Sequence, residues 1–178
     1  MSRVPDFAAW MIALFMAWLF ANAVTHKLRH RAYYCQLIGS WIGAERAALP
    51  AWLMVVIAEL LTVLLLLMPS LQSLGFGLAS ILLALYAGVM LVQLANGRTD
   101  SRCGCAGPDH DLHVSAELIA RNLICVGLVM LALLPQQAIE VSWVLKNSIT
   151  LLGGSFLILM YVLSEQLVAN RQQMRGHR

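Results

Sequence analysis

Between Leu60 and Gly97 the chain runs 38 residues without an Asp, Glu, Lys, Arg or His. As one helix this stretch would measure roughly 57 Å, against a bilayer hydrocarbon core about 30 Å thick. It must therefore turn once. Pro69-Ser70 followed by Gln72 and Ser73 marks the place, because proline ends a helix and small polar residues accept a tight turn among headgroups. The expectation is a hairpin of two membrane-spanning helices, at about 50–68 and 74–95.

The rest of the chain fits the same solvent. It is 60% hydrophobic and 12% charged, where soluble domains average about 45–50% apolar and about a quarter charged. Mean hydropathy is +0.75. Phe7 to Thr25 gives 19 uncharged residues entered through Pro5 and Asp6, and reads as a span over about 7–25. A signal peptide is the competing reading. Against it, one Arg precedes the run, the run exceeds an ordinary apolar signal core, and no small-residue cleavage site precedes the basic cluster His26-Lys27-Leu28-Arg29-His30-Arg31. A fourth span is expected over about 116–134, with Ser115 as N-cap, Glu117 in the first turn and Pro135 as the stop. A fifth is expected over about 148–168, entered past Trp143 and Lys146 and ending in a tail with Arg171, Arg175 and Arg178. The fold class is then all-α: a polytopic membrane protein of five transmembrane helices, forming one integral membrane domain over 1–178. Long loops at 26–49 and 96–115 fall on one membrane face.

Composition excludes a soluble globular enzyme, a disordered chain, a collagen and a large secreted disulfide framework. No phosphate-cradling glycine loop, nucleophile elbow, His-Glu zinc helix or nucleic-acid signature is present. The bilayer is the one environment that the sequence demands. Sorting Lys and Arg by face gives Arg3 and Lys146 beside the N-terminus, and nine on the other side: Lys27, Arg29, Arg31, Arg46, Arg98, Arg102, Arg171, Arg175 and Arg178. The positive-inside rule then puts the N-terminus outside, and the C-terminus and both loops in the cytoplasm.

The sharpest chemical feature is Cys103-Gly104-Cys105, two of only four cysteines placed two apart in a loop. Glycine between them permits the backbone geometry a close pair needs. A disulfide closing so short a ring departs from relaxed geometry and is easily reduced, which suits exchange with a partner better than permanent stapling. Arg98 and Arg102 favour the thiolate, the nucleophilic form. The bland alternative is two incidental surface thiols. A metal site is a second reading, since His110 and His113 follow at Cys-x-Cys-x4-His-x2-His spacing and supply soft ligands. That spacing is not a standard zinc pattern, and Asp109, Asp111 and Gly107-Pro108 equally describe a solvated loop.

Cys125, inside the fourth span, is a candidate resolving thiol, although a lone cysteine in an apolar helix more often acts as a small hydrophobe. Cys35 is a third thiol on the face of the pair. Glu59 stands near the middle of the second span, where a carboxylate needs protonation or a partner. Arg121 and Asn122 in the fourth span are the expected partners, in a structural tie or a site handling protons or quinone. Asn22 and Gln93 would add polar contacts between helices. Tyr33, Tyr34, Leu37, Ile38, Trp41 and Ile42 mix with basic residues across 26–46, a pattern for an amphipathic helix on the headgroups. Trp10 and Trp52 read as interface anchors.

These marks resemble the MauE proteins of methylamine utilisation, within the DoxX-like group of small helical membrane proteins. The resemblance covers most of the chain. It rests on His26-Lys27-Leu28 after the first span, Glu59 in the second, Arg102-Cys103-Gly104-Cys105-Ala106-Gly107 after the third, and Ser115 with Arg121-Asn122 opening the fourth. The family's loop usually reads Cys-Gly-Cys-Phe-Gly, so Ala106 departs at the aromatic position and keeps both thiols.

The resemblance implies a DoxX-like or VKOR-like four-helix bundle plus one extra helix, in the bacterial inner membrane. It implies a role in maturing methylamine dehydrogenase, above all its disulfide-rich small subunit, beside a periplasmic thioredoxin-like partner. Cys103 and Cys105 would then shuttle between dithiol and disulfide, a thiol–disulfide oxidoreductase activity with a protein partner. A quinone is a candidate cofactor. Two readings from other classes stand beside this one: a metal-binding or metal-transport protein using Cys103, Cys105, His110 and His113, and a non-redox assembly scaffold. The charge balance puts the pair in the cytoplasm while the implied substrate matures in the periplasm. Either reducing equivalents cross the bilayer, or the loop faces the periplasm.

Overall fold

The computed structural model describes residues 4–43, 45–95, 116–137 and 142–176. In chain order the elements are β1 (Val4–Pro5), α1 (Asp6–Arg29), α2 (Arg31–Ile42), α3 (Glu45–Leu67), α4 (Gln72–Ala95), α5 (Ala116–Ala132), β2 (Gln136–Gln137) and α6 (Trp143–Gly176). The strands are a two-residue parallel pairing, Val4 opposite Gln136 and Pro5 opposite Gln137. Among the described residues every other element is a helix, and the long helices fall where the apolar runs fall.

Among the described residues, four helices are long and apolar enough to cross a membrane: Asp6–Arg29, Arg46–Leu67, Gln72–Ala95 and Trp143–Arg171. The expected fourth span, α5, is 17 residues and ends at Ala132, short of the expected 134. At 1.5 Å per residue it covers about 25 Å, slightly less than the hydrocarbon thickness. Its ends nevertheless lie at opposite ends of the bundle. Leu118 packs with Met90 near the close of α4, while the chain just past α5 pairs with Val4–Pro5 ahead of α1.

The hairpin forms where Pro69 demands it, with α3 ending at Leu67 and α4 starting at Gln72. Leu71 N–H donates to the Met68 carbonyl across the turn. Gly75 lets the two helices close: a Cβ there would lie 2.8 Å from the backbone nitrogen of Leu66, closer than any side chain fits.

Three expectations need correction. The segment 26–49 is not a loop, because α1 continues to Arg29, α2 occupies Arg31–Ile42 and α3 starts at Glu45. Pro50 therefore sits inside α3 instead of opening it. Without an N–H, Pro50 leaves the Arg46 carbonyl free of its helical donor, which is affordable close to the watery end. Next, α2 turns part of its apolar side onto protein. It ends on Gly43 in the left-handed conformation, φ 71°, folds back on α3 and buries Tyr34 and Ile38 against Val24, Trp52 and Val56. Trp52 is consequently a core residue, with Arg31 stacked 5.5 Å from its ring centroid. Last, α6 runs 34 residues from Trp143, so Trp143 and Lys146 lie inside it. Roughly 51 Å long, it extends beyond the expected 148–168 at both ends.

The main core is built by α1, α3, α4 and α5: Ala9, Ile12, Phe15, Met16 and Phe20 meet Leu66, Phe76, Ala79, Leu83, Cys125 and Val129. Large side chains outside it, such as Met54, Ile57, Leu64, Ile81 and Leu152, are exposed. An apolar exterior around a packed interior is the arrangement lipid requires.

Candidate functional site

Glu59, in mid α3, is fully buried at 0% exposure, and Lys27 at the end of α1 is 4% exposed. The ammonium of Lys27 donates to Glu59 Oε1 at 2.7 Å. Tyr86 of α4 donates its phenolic hydrogen to the same oxygen at 2.5 Å. The Lys27 Nζ also lies 5.6 Å from the Tyr34 ring centroid and 5.3 Å from that of Tyr86. Three transmembrane helices thus meet on one carboxylate, and α2 covers the lysine. An ion pair at this depth stands only because each charge has its counterion and further polar contacts.

The partner of Glu59 is therefore Lys27 with Tyr86, not Arg121 and Asn122. Arg121 instead faces α6: its guanidinium lies 4.4 Å from the Tyr161 ring centroid and 3.9 Å from Glu165 Oε1. A turn earlier in α5, Glu117 meets Arg171 at 3.7 Å. These contacts hold the second half of α6 against α5. Tyr161 also contacts Phe15 and Trp18 of α1 edge-to-face.

Between these groups lies a cavity of about 80 Å³, several times what one buried water needs. Its apolar walls are Leu19, Phe20 and Leu83, and its polar lining comes from Asn22, His26, Tyr86, Asn122, Tyr161 and Glu165. Asn122 is 5% exposed, and its Nδ2 has no hydrogen-bond partner among the described residues. Nor does His26 Nδ1. Asn22 lines the cavity yet is exposed, about 10 Å from the end of α1 at Arg29. The cavity therefore reaches the surface of the described helices beside Asn22.

Cys125 is buried among the apolar core residues, and Cys35 on α2 is half-buried; both are free thiols. Gln93 is buried with neither amide atom partnered among the described residues. Cys103, Cys105, His110 and His113 lie outside the described residues, as do Arg98, Arg102 and Ser115. In sequence they fall between Ala95, which ends α4, and Ala116, which opens α5, and those two helix ends lie at the end of the bundle toward which the cavity is displaced. Among the described residues no three His, Cys, Asp or Glu gather as metal ligands.

Sequence reading overlooked five members of this site: His26, Lys27, Tyr86, Tyr161 and Glu165. Lys27 was masked by its basic neighbours, and Tyr86 by the apolar run around it. Glu165 carried the same signal as Glu59, a carboxylate inside an apolar span.

A family model described as methylamine utilisation protein MauE matches residues 5–135. The methylamine utilization protein MauE of Paracoccus denitrificans is 24% identical over 160 residues, covering 89% of this chain and 86% of that protein. No solved structure matches. The family match stops short of α6, the helix that brings Tyr161 and Glu165 to the cavity.

Proposed function

The chain belongs to the MauE family of methylamine utilisation proteins and is a multi-pass membrane protein; from that premise we propose that it works in thiol redox. Its Cys103-Gly104-Cys105 pair would support maturation of a periplasmic amine dehydrogenase subunit by exchange with a thioredoxin-like protein or with the subunit itself. What supports the reading is that Ala95 and Ala116, between which the pair falls in sequence, close α4 and open α5 at the end of the bundle nearer the buried polar groups.

The chemistry is a two-electron exchange. A partner thiolate attacks one sulfur of the Cys103–Cys105 disulfide, and the other sulfur leaves as thiolate. A second partner thiolate then resolves the mixed disulfide, so the partner is oxidised and the pair becomes a dithiol. Run backwards, the same steps deliver reducing equivalents. Cys125 is too deep in apolar packing to be the first nucleophile; as a resolving thiol it would act only after local opening.

The architecture proposed with this function is one membrane domain of five crossings in the inner membrane, with α5 as the fourth in chain order, added to the four long apolar helices. The opposed ends of α5 support it, as does α6, whose Lys146 pairs with Asp6 at one end and whose Arg171 pairs with Glu117 at the other. This is a DoxX-like bundle with one helix added. Five crossings put the basic residues opposite the N-terminus. Setting aside the buried Lys27 reduces the nine to eight, against Arg3 and Lys146. That balance places the N-terminus outside, while a periplasmic substrate asks for the opposite.

Two measurements test the proposal. Replacing Cys103 and Cys105 together by Ser should abolish maturation of the dehydrogenase subunit, and normal maturation would sink the thiol reading. Labelling of the pair in intact cells with a membrane-impermeant thiol reagent, with Cys35 and Cys125 replaced by Ser, reads its face. Labelling only after reduction assigns a periplasmic disulfide and direct exchange. Labelling only after lysis assigns a cytoplasmic pair and transfer across the bilayer.

A further inference from the structure

We propose that the second half of α6, from Leu157 onward, is a lateral gate: it swings away from α5 about a hinge at Gly153-Gly154 and opens the cavity to the bilayer. This device is independent of thiol chemistry. It belongs to a helix that lies beyond residues 5–135, the part matched to the family.

Among the long apolar helices α6 is the least buried, with 6% of its apolar stretch covered by protein against 28–50% in the other three. Leu159, Leu163 and Leu167 are exposed along its second half. Lipid replaces apolar contacts between helices at little cost, which leaves the polar contacts to hold this half in place. Those contacts are long. Arg121 stands 3.9 Å from Glu165 Oε1, and Arg171 stands 3.7 Å from Glu117 Oε1, where a charge-assisted hydrogen bond measures about 2.7–2.9 Å. Lys27 and Glu59, at 2.7 Å, show a fully closed pair in the same bundle. Behind the loose latch lies the cavity, with Tyr161 and Glu165 as its wall on the α6 side.

The first half of α6 is fastened. Lys146 pairs with Asp6, and Gly153 and Gly154 lie against α1 at Met11 and Leu14. Packing accounts for Gly153, whose Cβ would fall 1.9 Å from Met11 Cε. It does not account for Gly154. A Cβ there would meet Leu14 Cβ at 3.5 Å and the Met11 carbonyl oxygen at 3.7 Å, which are ordinary contacts. What the second glycine supplies is backbone freedom, and Ser155 follows it; adjacent Gly and Ser residues are where helices bend. Tyr161 and Glu165 come about two and three turns later, so a bend at the hinge withdraws both from the cavity. Opening strands no charge in hydrocarbon. Arg121 lies about 8 Å from the start of α5, within reach of the headgroups for its long side chain, and Glu165 opens the polar last third of α6.

The test is pulsed-EPR distance measurement on the full chain in lipid nanodiscs, with nitroxides attached through p-acetylphenylalanine so that the native cysteines stay in place. One label pair, at exposed Leu123 of α5 and Leu167 of α6, spans the gate; a second, at exposed Met130 and Leu152, spans the fastened half. The gate pair should show two distance populations and the second pair one. Glu165→Gln keeps the shape of the side chain, removes the charge of the latch, and should raise the longer population about two- to fivefold. Gly154→Ala, which the space beside α1 admits, should lower it by a similar factor, the Gly-to-Ala difference inside a helix. A single narrow distance for the gate pair, in the unsubstituted protein and in Glu165→Gln alike, overturns the gate. Two populations of equal weight at both pairs mean that α6 moves as one rod, and overturn the hinge. A longer population insensitive to Gly154→Ala does the same.

Discussion

The two halves of the bundle are held together by different physics. Toward the N-terminal end, α1 meets α3, α4 and α5 through Ala9, Ala13, Phe15, Met16, Phe76, Ala79 and Val129, with no charge among them. Toward the other end, the same helices meet through Lys27, Glu59 and Tyr86, and α5 meets α6 through Arg121 and Glu165. Lipid is as apolar as leucine, so burying leucine between helices gains little; the apolar half relies on close shape, with Ala and Gly at the contacts. In the polar half an unpaired charge has no solvent to return to, so pairing fixes the arrangement strongly. The difference teaches where function can reside. The apolar half keeps its one described ion pair, Asp6 with Lys146, at its partly exposed edge, whereas the polar half buries Lys27 and Glu59 inside and holds the cavity lined by His26 and Asn122.

The largest effect expected from this contrast is at Glu59. Glu59→Ala strands the Lys27 ammonium in the bundle and should lower stability by about 3–5 kcal/mol, read by unfolding in mixed detergent micelles. The double substitution Lys27→Met with Glu59→Leu should recover most of that loss. If the single variant unfolds like the unsubstituted protein, the polar half is not held by its ion pair.

Smaller is Tyr86→Phe, which removes one hydrogen bond to a charged acceptor and should cost about 1.5–3 kcal/mol in the same assay. In the apolar half, Gly75→Val drives a side chain into the Leu66 backbone and should destabilise by about 1–3 kcal/mol, independent of salt. A Gly75→Val loss exceeding that of Glu59→Ala would reverse the comparison. Smallest is Lys146→Ala. Its pairing with Asp6 is partly exposed, so a loss of about 0.2–1 kcal/mol that shrinks further at high salt is expected.

Much of the fold was legible in the apolar runs. Pro69 placed the α3–α4 turn to within a few residues, and 74–95 matches α4 closely, because a helix in lipid must begin and end where polar groups find water. The reading failed on 26–49, where five basic or histidine residues among the six of 26–31 suggested a surface. Lys27 escapes that pattern because its long stem carries the ammonium inward to Glu59, while Arg29 on the same turn stays exposed. The α2 helix was anticipated as amphipathic, and part of its apolar side turned out to cover α3. Periodicity reports that a side chain seeks apolar surroundings and is silent on which surroundings are nearest. In the site, Glu59, Arg121, Asn122 and Asn22 stood out by polarity within apolar helices, and all but Glu59 lie on or beside the cavity. Glu59 reaches it through Tyr86.

The sequence by itself determined the solvent, the all-helical class and the turn between α3 and α4, since these follow from local polarity and from proline. It also determined that Glu59 needed a partner, because a lone buried carboxylate is prohibitive in lipid. Only the tertiary structure decided that the partner is Lys27, 32 residues away, and that Arg121 turns to Glu165. Partner choice depends on the rotation of each helix about its axis and on where neighbouring helices cross. Those are set by the packing of all the helices together, through small residues such as Gly75 and covers such as α2, and no single segment encodes them.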